Sequence, residues 1–325
     1  MSIHVNELNK VSITGATGFI GLALVKHLLE SKTFDVSAIL RQKSELMSAG
    51  VEQFEAGDLS ELSQADNRNA LARHLQHIDT VIHMAARVHV MNDTSADPLA
   101  EFRKINVTAT LELAKVAAEA GVKRFVFLSS VKVNGESTQP AMPFTENDSP
   151  LPEDDYARSK QEAEMGLREI AEETGLEIVI IRLPLVYGPG VKGNFAAMMR
   201  WLQKGVPLPL GAVHNQRSLV ALDNLVDFIQ LCITRPDAAN QTFLIADGED
   251  VSTTELLRRV AIACGKRPCL LPVPVSWMRL AAKSLGKTAV ADRLFCSLQV
   301  DISKARHQLG WKPVVTMQQQ LDKCR

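Results

Sequence analysis

The chain has 325 residues, 46% of them apolar and 22% charged, with a formal net charge of −1. That composition excludes a disordered or collagen-like chain. The near-zero charge gives no global reason to bind nucleic acid or a membrane, so neither partner is expected.

In chain order the first half alternates. Lys10–Thr14 is a short strand, and Phe19–Glu30 has helical spacing of Phe19, Ile20, Leu24 and Leu28. Val36–Leu40 and Val51–Glu55 are strands, Leu62–Gln76 a helix and Thr80–His83 a strand. Pro98–Ala120 is a long helix that stops at Gly121. Arg124–Ser129 is a buried strand, Tyr156–Thr174 a helix and Glu177–Arg182 a further strand. Strands alternating with helices predict βαβ units and a parallel sheet covered on both faces. The fold class is therefore α/β, a Rossmann-like doubly wound parallel sheet spanning residues 1–182, with ligands beyond the carboxyl ends of its strands.

After Leu183 the alternation is lost, and Pro and Gly punctuate the chain as far as Gly211. Helices recur at Leu222–Arg235 and Thr253–Cys264, and Pro268–Pro274 is proline-rich. Residues 183–325 are read as a smaller substrate-binding lobe whose segments can interleave with the first. Trp277, Met278, Leu280 and Ala281 are assigned to packing of that lobe rather than to a partner-facing or membrane-facing stripe.

No apolar run reaches bilayer length, and Met1–Lys10 lacks the apolar region of a signal peptide. The five cysteines are scattered and form no C-x-x-C. An odd set of this kind reads as reduced thiols, so a cytoplasmic protein is expected. The eight histidines form no metal-ligand spacing, and no metal is expected. His83 and His89 are read as packing or pocket residues.

Residues Thr14–Gly21 read T-G-A-T-G-F-I-G, after a strand and at the opening of a helix. Glycines at 15, 18 and 21 suit a tight turn, close approach of backbone to a pyrophosphate, and close helix–sheet packing. The helix N-terminus adds amide donors and a positive dipole end. A bare glycine-rich turn is the alternative. Gly15, Thr17, Gly18, Phe19, Ile20 and Gly21 are thus expected to hold a dinucleotide. An acid at the end of the second strand favours NAD, and a basic residue accommodates the 2′-phosphate of NADP. Arg41 stands there, so NADP(H) is expected, with NAD(H) as the alternative.

Tyr156 and Lys160 form Y-x-x-x-K, and in a helix both lie on one face. The lysine cation is expected to lower the tyrosine from its ordinary pKa of about 10 and make it an acid/base.

The G-x-x-G-x-x-G turn together with Y-x-x-x-K resembles the extended short-chain dehydrogenase/reductases, the NAD-dependent epimerase/dehydratase family, and the likeness runs through nearly the whole chain. The resemblance implies that Asp58 and Leu59 contact adenine, that Ala85 and Ala86 line the cofactor, and that Asn106 steadies the active-site helix. Leu128–Gly135 is similar to the family's S-S-x-x-V-Y-G pattern, which places the catalytic hydroxyl at Ser130, with Ser129 as runner-up. Asn134 stands where the pattern has Tyr. Val131 and Lys132 replace the Asp-Glu pair of sugar dehydratases, so dehydration is disfavoured. Lys132 is expected at the substrate.

The stretch Arg182–Pro189 resembles the family's R-x-x-x-V-Y-G-P turn, which implies that Pro184 borders the nicotinamide. By the same resemblance Asn194 lies at the substrate diphosphate and Arg217 pairs with its pyrophosphate. Leu309–Pro313 is similar to the family's L-G-W-x-P terminus. These features imply an NADP(H)-dependent reductase of a UDP-4-keto-6-deoxy-N-acetylhexosamine, of the UDP-QuiNAc or UDP-FucNAc type. They resemble bacterial O-antigen enzymes. The alternatives are a UDP-hexose 4-epimerase with tightly bound NAD and, in another class, a non-catalytic dinucleotide-binding regulator. The expected partners are a UDP-sugar and a second copy, as a homodimer through the helices at Pro98–Ala120 and Tyr156–Thr174.

Overall fold

The computed structural model describes residues 8–62, 64–88, 97–286 and 288–324. His89 lies outside them. The chain divides into two compact units. The first holds Met1–Asn134, Pro150–Arg182 and Val226–Phe243; the second holds Gly135–Ser149, Leu183–Leu225 and Leu244–Arg325. The main change of unit falls after Arg182, and residues 135–149 and 226–243 each cross to the other side of a simple two-part division.

The first unit runs β1 (Asn9–Thr14), α1 (Phe19–Ser31), β2 (Phe34–Leu40), β3 (Glu52–Glu55), α2 (Ala65–Leu75), β4 (Thr80–His83), α3 (Pro98–Arg103), α4 (Ala109–Glu119), β5 (Arg124–Ser130), α5 (Asp155–Thr174) and β6 (Glu177–Leu183). The second unit contributes β7 (Leu185–Tyr187), α6 (Gly193–Gln203), β8 (Arg217–Ala221) and the start of α7 (Leu222–Thr234). The chain returns to the first unit through the rest of α7 and β9 (Thr242–Leu244). It closes with β10 (Asp250–Val251), α8 (Thr253–Ala263), α9 (Val275–Ser284), α10 (Thr288–Phe295), α11 (Ser303–Leu309) and α12 (Met317–Asp322).

The seven-stranded sheet has the order β3-β2-β1-β4-β5-β6-β9. β1 pairs parallel with β2 on one side and with β4 on the other. The strand order therefore reverses between β1 and β4, the point at which doubly wound sheets open a crevice for ligands. β5 is buried along its whole length, because a strand covered on both faces needs a continuous apolar run. One core cluster gathers Leu71, Leu75, Leu113, Phe125, Phe127, Leu167 and Ile180 between sheet and helices.

The helix expected over Pro98–Ala120 is interrupted. Residues Lys104–Thr108 form a wider π-type turn, in which the Ala109 N–H reaches the Lys104 carbonyl five residues back. Such bulges occur frequently at functional sites. Asn106 sits in it, fully buried.

In the second unit β10, β8 and β7 form a small sheet. Tyr187, Phe195, Leu219 and Leu257 belong to its core cluster. The reading of Trp277 and Leu280 as core is corrected: they are 71% and 70% exposed. Apolar spacing on a helix does not say which side faces the protein. Here Val275, Met278 and Ala282 face inward instead. Among the described residues no helix is long and apolar enough to cross a membrane.

Candidate active site

The turn after β1 shows why glycine stands at 15 and 21. Gly15 has φ +71°, and a Cβ there would lie 2.8 Å from the Ala85 nitrogen at the end of β4. A Cβ on Gly21 would lie 2.2 Å from the Gly15 carbonyl oxygen. No side chain caps α1 at Gly18, although the first amides of a helix have no partner within the helix. The start of α1, with Phe19, Ile20 and Gly21, is therefore a backbone cradle for an anion at the switch point of the sheet. Thr17 lies in the same turn. The residues present fit the diphosphate of a dinucleotide.

Arg41 follows the last residue of β2 and is exposed, 3.9 Å from the Asp58 carboxylate. Asp58 accepts a hydrogen bond from the Ser60 N–H and opens a short turn at Leu59. That bond, with Arg41 adding to it, holds the carboxyl below its usual range. Ala85 and Ala86 continue from β4 along the same rim.

A chain of buried polar groups ties this rim to α5. Thr14 Oγ1 accepts from the Met84 and Ala85 N–H groups, each at 3.2 Å. Its own proton then goes to His83 Nδ1, 2.7 Å away. His83 Nε2 must carry the ring proton and donate it to Thr110 Oγ1 at 2.9 Å, and Thr110 donates to the Asn106 carbonyl. The two partners thus fix the imidazole tautomer. Burial, with Lys160 nearby, lowers the His83 pKa to about 3, so the ring is neutral. Asn106 in turn donates to the Arg87 carbonyl and to Ser159 Oγ and accepts from the Arg87 N–H. Ser159 donates to the Tyr156 carbonyl.

α5 starts where Asp154 accepts from the Ala157 N–H, and it carries Tyr156 and Lys160 one turn apart. Ser130, the last residue of β5, lies near enough to the Tyr156 hydroxyl to lower its pKa. Ser130 Oγ also accepts from the Lys132 N–H. Ser129 is turned elsewhere: it donates to Glu164 at 2.6 Å. The structure therefore sets Ser130 beside Tyr156, with Lys160 one turn further along α5, and leaves Ser129 out.

The expected effect of Lys160 on Tyr156 is corrected. Burial first, then the Asp154 carboxylate, push the phenol up to about 12, with the nearby Ser130 hydroxyl opposing. Lys160 is 3% exposed, and its Nζ sits 4.0 Å from the centroid of the Phe127 ring. Burial lowers it to about 7, with Glu164 opposing. A lysine whose charged form is disfavoured in this way stabilises a phenolate less than a solvated cation does.

Glu164, four residues after Lys160, carries no motif that would single it out. It is 1% exposed and pairs through both oxygens with Arg182, at 3.0 and 2.7 Å. Arg182 also donates to Asn134 Oδ1, so Asn134 is a buried partner of that arginine. Lys132 pairs with Asp154 at 2.6 Å.

The second unit holds the other residues expected at the substrate. Pro184 separates β6 from β7, and Asn194 lies in the first turn of α6. Arg217 opens β8 half-buried, and its Nη1 donates to the carbonyls of Arg293 and Cys296. Among the described residues no group of His, Cys, Asp and Glu could hold a metal ion.

Comparison with known proteins bears on the family and the fold. A profile of the NAD dependent epimerase/dehydratase family matches residues 11–246. The chain is 46% identical, over 95% of its length and 92% of the relative's, to a UDP-glucose 4-epimerase of Vibrio cholerae. Its fold matches the crystal structure of a Thermus thermophilus UDP-glucose 4-epimerase in complex with NAD. The TM-score is 0.76 at 24% identity, covering 97% of each chain. A Thermotoga maritima UDP-glucose 4-epimerase with UDP-glucose gives 0.75 at 24% identity, again over 97% of each chain. The chain belongs to the NAD-dependent epimerase/dehydratase family of extended short-chain dehydrogenase/reductases, and it is an enzyme of that family.

Proposed function

We propose that the protein is a UDP-hexose 4-epimerase acting on a UDP-sugar. The observation that carries this reading is the near-full-length 46% identity to a protein named for that activity. The Ser130, Tyr156 and Lys160 cluster supports it. Gly15 to Gly21, Arg41, Asp58, Leu59, Ala85, Ala86 and Pro184 are the residues that would hold the dinucleotide. When bound, its nicotinamide supplies the hydride acceptor and donor for the sugar C4. Tyr156 moves the proton at the sugar O4, and Ser130 hydrogen-bonds the same oxygen. In the chain alone Tyr156 is a protonated phenol, which makes it ready to donate when a 4-keto sugar is reduced. Lys160 orients the phenol from one turn away. Asn194 and Arg217 would bind the diphosphate; Arg217 keeps donors beyond the Nη1 already given to the carbonyls at 293 and 296. Lys132 would reach the sugar.

A second reading is favoured by Arg41. β2 ends at Leu40 with no acid at its end, and a basic residue there suits the 2′-phosphate of NADP(H). That would make the protein a reductase of a UDP-4-keto-6-deoxy-N-acetylhexosamine. The homodimer through α3, α4 and α5 belongs to the same proposal, and sedimentation analysis tests it.

One assay separates the readings. Interconversion of UDP-glucose and UDP-galactose, or of their N-acetylated forms, without net change at the reduced-nicotinamide absorbance band supports the epimerase. Stoichiometric consumption of NADPH with an enzymatically made 4-keto substrate, and no interconversion, overturns it for the reductase.

A further inference from the structure

Helix α9 is built the wrong way round for a surface helix. Val275, Met278 and Ala282 face the protein and are half-buried, while Trp277, Leu280 and Ala281 point to solvent. Leu285, just past the helix, is 71% exposed. The segment leading into α9 continues the pattern with Leu271, 48% exposed, between prolines. A neighbouring helix, α10, adds Val290, 52% exposed. Large apolar groups exposed on adjoining elements in this way mark an interaction surface.

The charges in this stretch of the sequence are almost all of one sign. From Lys266 to Phe295 the sequence carries Lys266, Arg267, Arg279, Lys283, Lys287 and Arg293 against one acid, Asp292. The chain as a whole is −1, so the basic residues are concentrated here. Asp292 is paired with Arg279 at 2.7 Å, and Arg279 lies over the Phe295 ring. The pair ties α10 to α9. On α9, Arg279 and Lys283 flank the exposed apolar stripe.

We propose that α9, with α10 and the segment before it, is a docking surface for a lipid bilayer that carries anionic headgroups. Apolar side chains on a short helix enter the headgroup boundary, basic flanks meet the negative surface potential, and tryptophan favours that level of the bilayer. A second copy of the chain fits less well. A two-fold contact sets a patch against itself, which here opposes basic residues to basic residues. The helix lies on the surface and does not span it. The proposal replaces the sequence-based expectation of no membrane partner, and it does not depend on which sugar the enzyme uses.

The test is co-sedimentation of the full-length protein with vesicles of phosphatidylethanolamine and phosphatidylglycerol, or of phosphatidylcholine alone. Binding is expected to the anionic vesicles only and to weaken as salt is raised. In a Trp201→Phe background the emission of Trp277 should shift to the blue on binding, since Trp311 is already buried. Trp277→Ser with Leu280→Ser should weaken partitioning about tenfold or more without changing the melting transition. Lys283→Gln should weaken it about fivefold, the effect of one basic residue near the surface. Absence of vesicle binding, equal binding to both vesicle types, or unaltered binding by the double variant overturns the proposal. So does a dimer that the double variant converts to monomer without any vesicle binding, which would assign the face to a second copy.

Discussion

Glu164 and Arg182 face each other across the interior of the first unit, 2.7 Å apart, with neither side chain more than 3% exposed. Their pairing locks α5 to the end of β6. Through Ser129 and Asn134 it also reaches both sides of the turn that carries Ser130. The turn that carries Ser130 is therefore supported from behind by a charged pair almost wholly shielded from solvent.

Removing one partner leaves the other charge buried and unpaired. Arg182→Met alone should destabilise the protein by about 3–5 kcal/mol. Adding Glu164→Leu should recover more than half of that loss, because two apolar groups replace the pair. Urea unfolding of the two single variants and the double variant gives the coupling directly. Additive losses would mean that the pair carries no special weight.

Tyr156→Phe keeps the ring and its edge contact with Phe102 and removes only the hydroxyl. Turnover should fall about 10²- to 10⁴-fold, the usual contribution of a positioned acid/base, with an unchanged melting temperature. Steady-state rates with saturating sugar nucleotide measure this, and a variant within a few-fold of wild type would remove Tyr156 from the chemistry.

His83 is held neutral, with its pKa lowered to about 3 by burial. The unfolded chain takes up a proton near pH 6.5, where the folded chain does not. Stability from this group is thus complete above about pH 6.5 and is lost as pH falls toward 3, by up to about 1.4 kcal/mol per pH unit. His83→Gln should be less stable at pH 7 but lose less on acidification, so the gap to wild type narrows. Melting curves between pH 7 and 4 would show a constant gap if the ring were free to titrate.

Lys160 behaves oppositely in range but not in sign. Its pKa falls from 10.5 to about 7 on folding. Between these values the unfolded chain binds the proton that the folded chain has shed. Stability of the cofactor-free protein should therefore rise with pH through that window. In Lys160→Met this rise should be absent, and the variant should gain most over wild type near pH 7. Denaturant midpoints across pH 7–10 test it.

Gly21→Ala drives a methyl group into the Gly15 carbonyl, where backbone cannot yield cheaply. A loss of about 1–3 kcal/mol is expected from overpacking, together with loss of dinucleotide binding followed by nicotinamide fluorescence. Normal binding would mean that the turn relaxes.

Much of the first unit was legible because its signals are local. β5 and β6 each hold a four-residue apolar run, Phe125 to Leu128 and Ile178 to Ile181. β1, β2 and β4 are short segments with buried apolar residues, and the glycines that follow β1 stand where backbone meets backbone. The π-type turn at Asn106 was not legible: it depends on hydrogen bonds to Arg87 and to Ser159, which is 53 positions away. Glu164 reads in sequence as one more acid on a charged helix, and only β6 brings Arg182 to it. The short strands β7, β9 and β10 hold two or three residues each, too few for a period to show. Arg217 could be placed by resemblance, but its carbonyl partners come from α10 and the residue after it, 76 and 79 residues on. The direction of the Tyr156 shift was missed because burial, which is invisible in a motif, and the Asp154 carboxylate set it, not the lysine.

The chain passes from one unit to the other five times, at 134, 149, 182, 225 and 243. A gene fragment ending at Arg182 would not encode a free-standing dinucleotide-binding domain. It would lack β9 and leave β6 as a bare sheet edge, an invitation to aggregate. It would also strip Arg124 of the carbonyls of Cys232, Ile233 and Arg235. The same threading means that a single protease cut at a unit boundary leaves both halves laced together. Insertions and fusions in this protein therefore belong at its ends or on its exposed helices, not at the joint that a two-part reading of the sequence suggests.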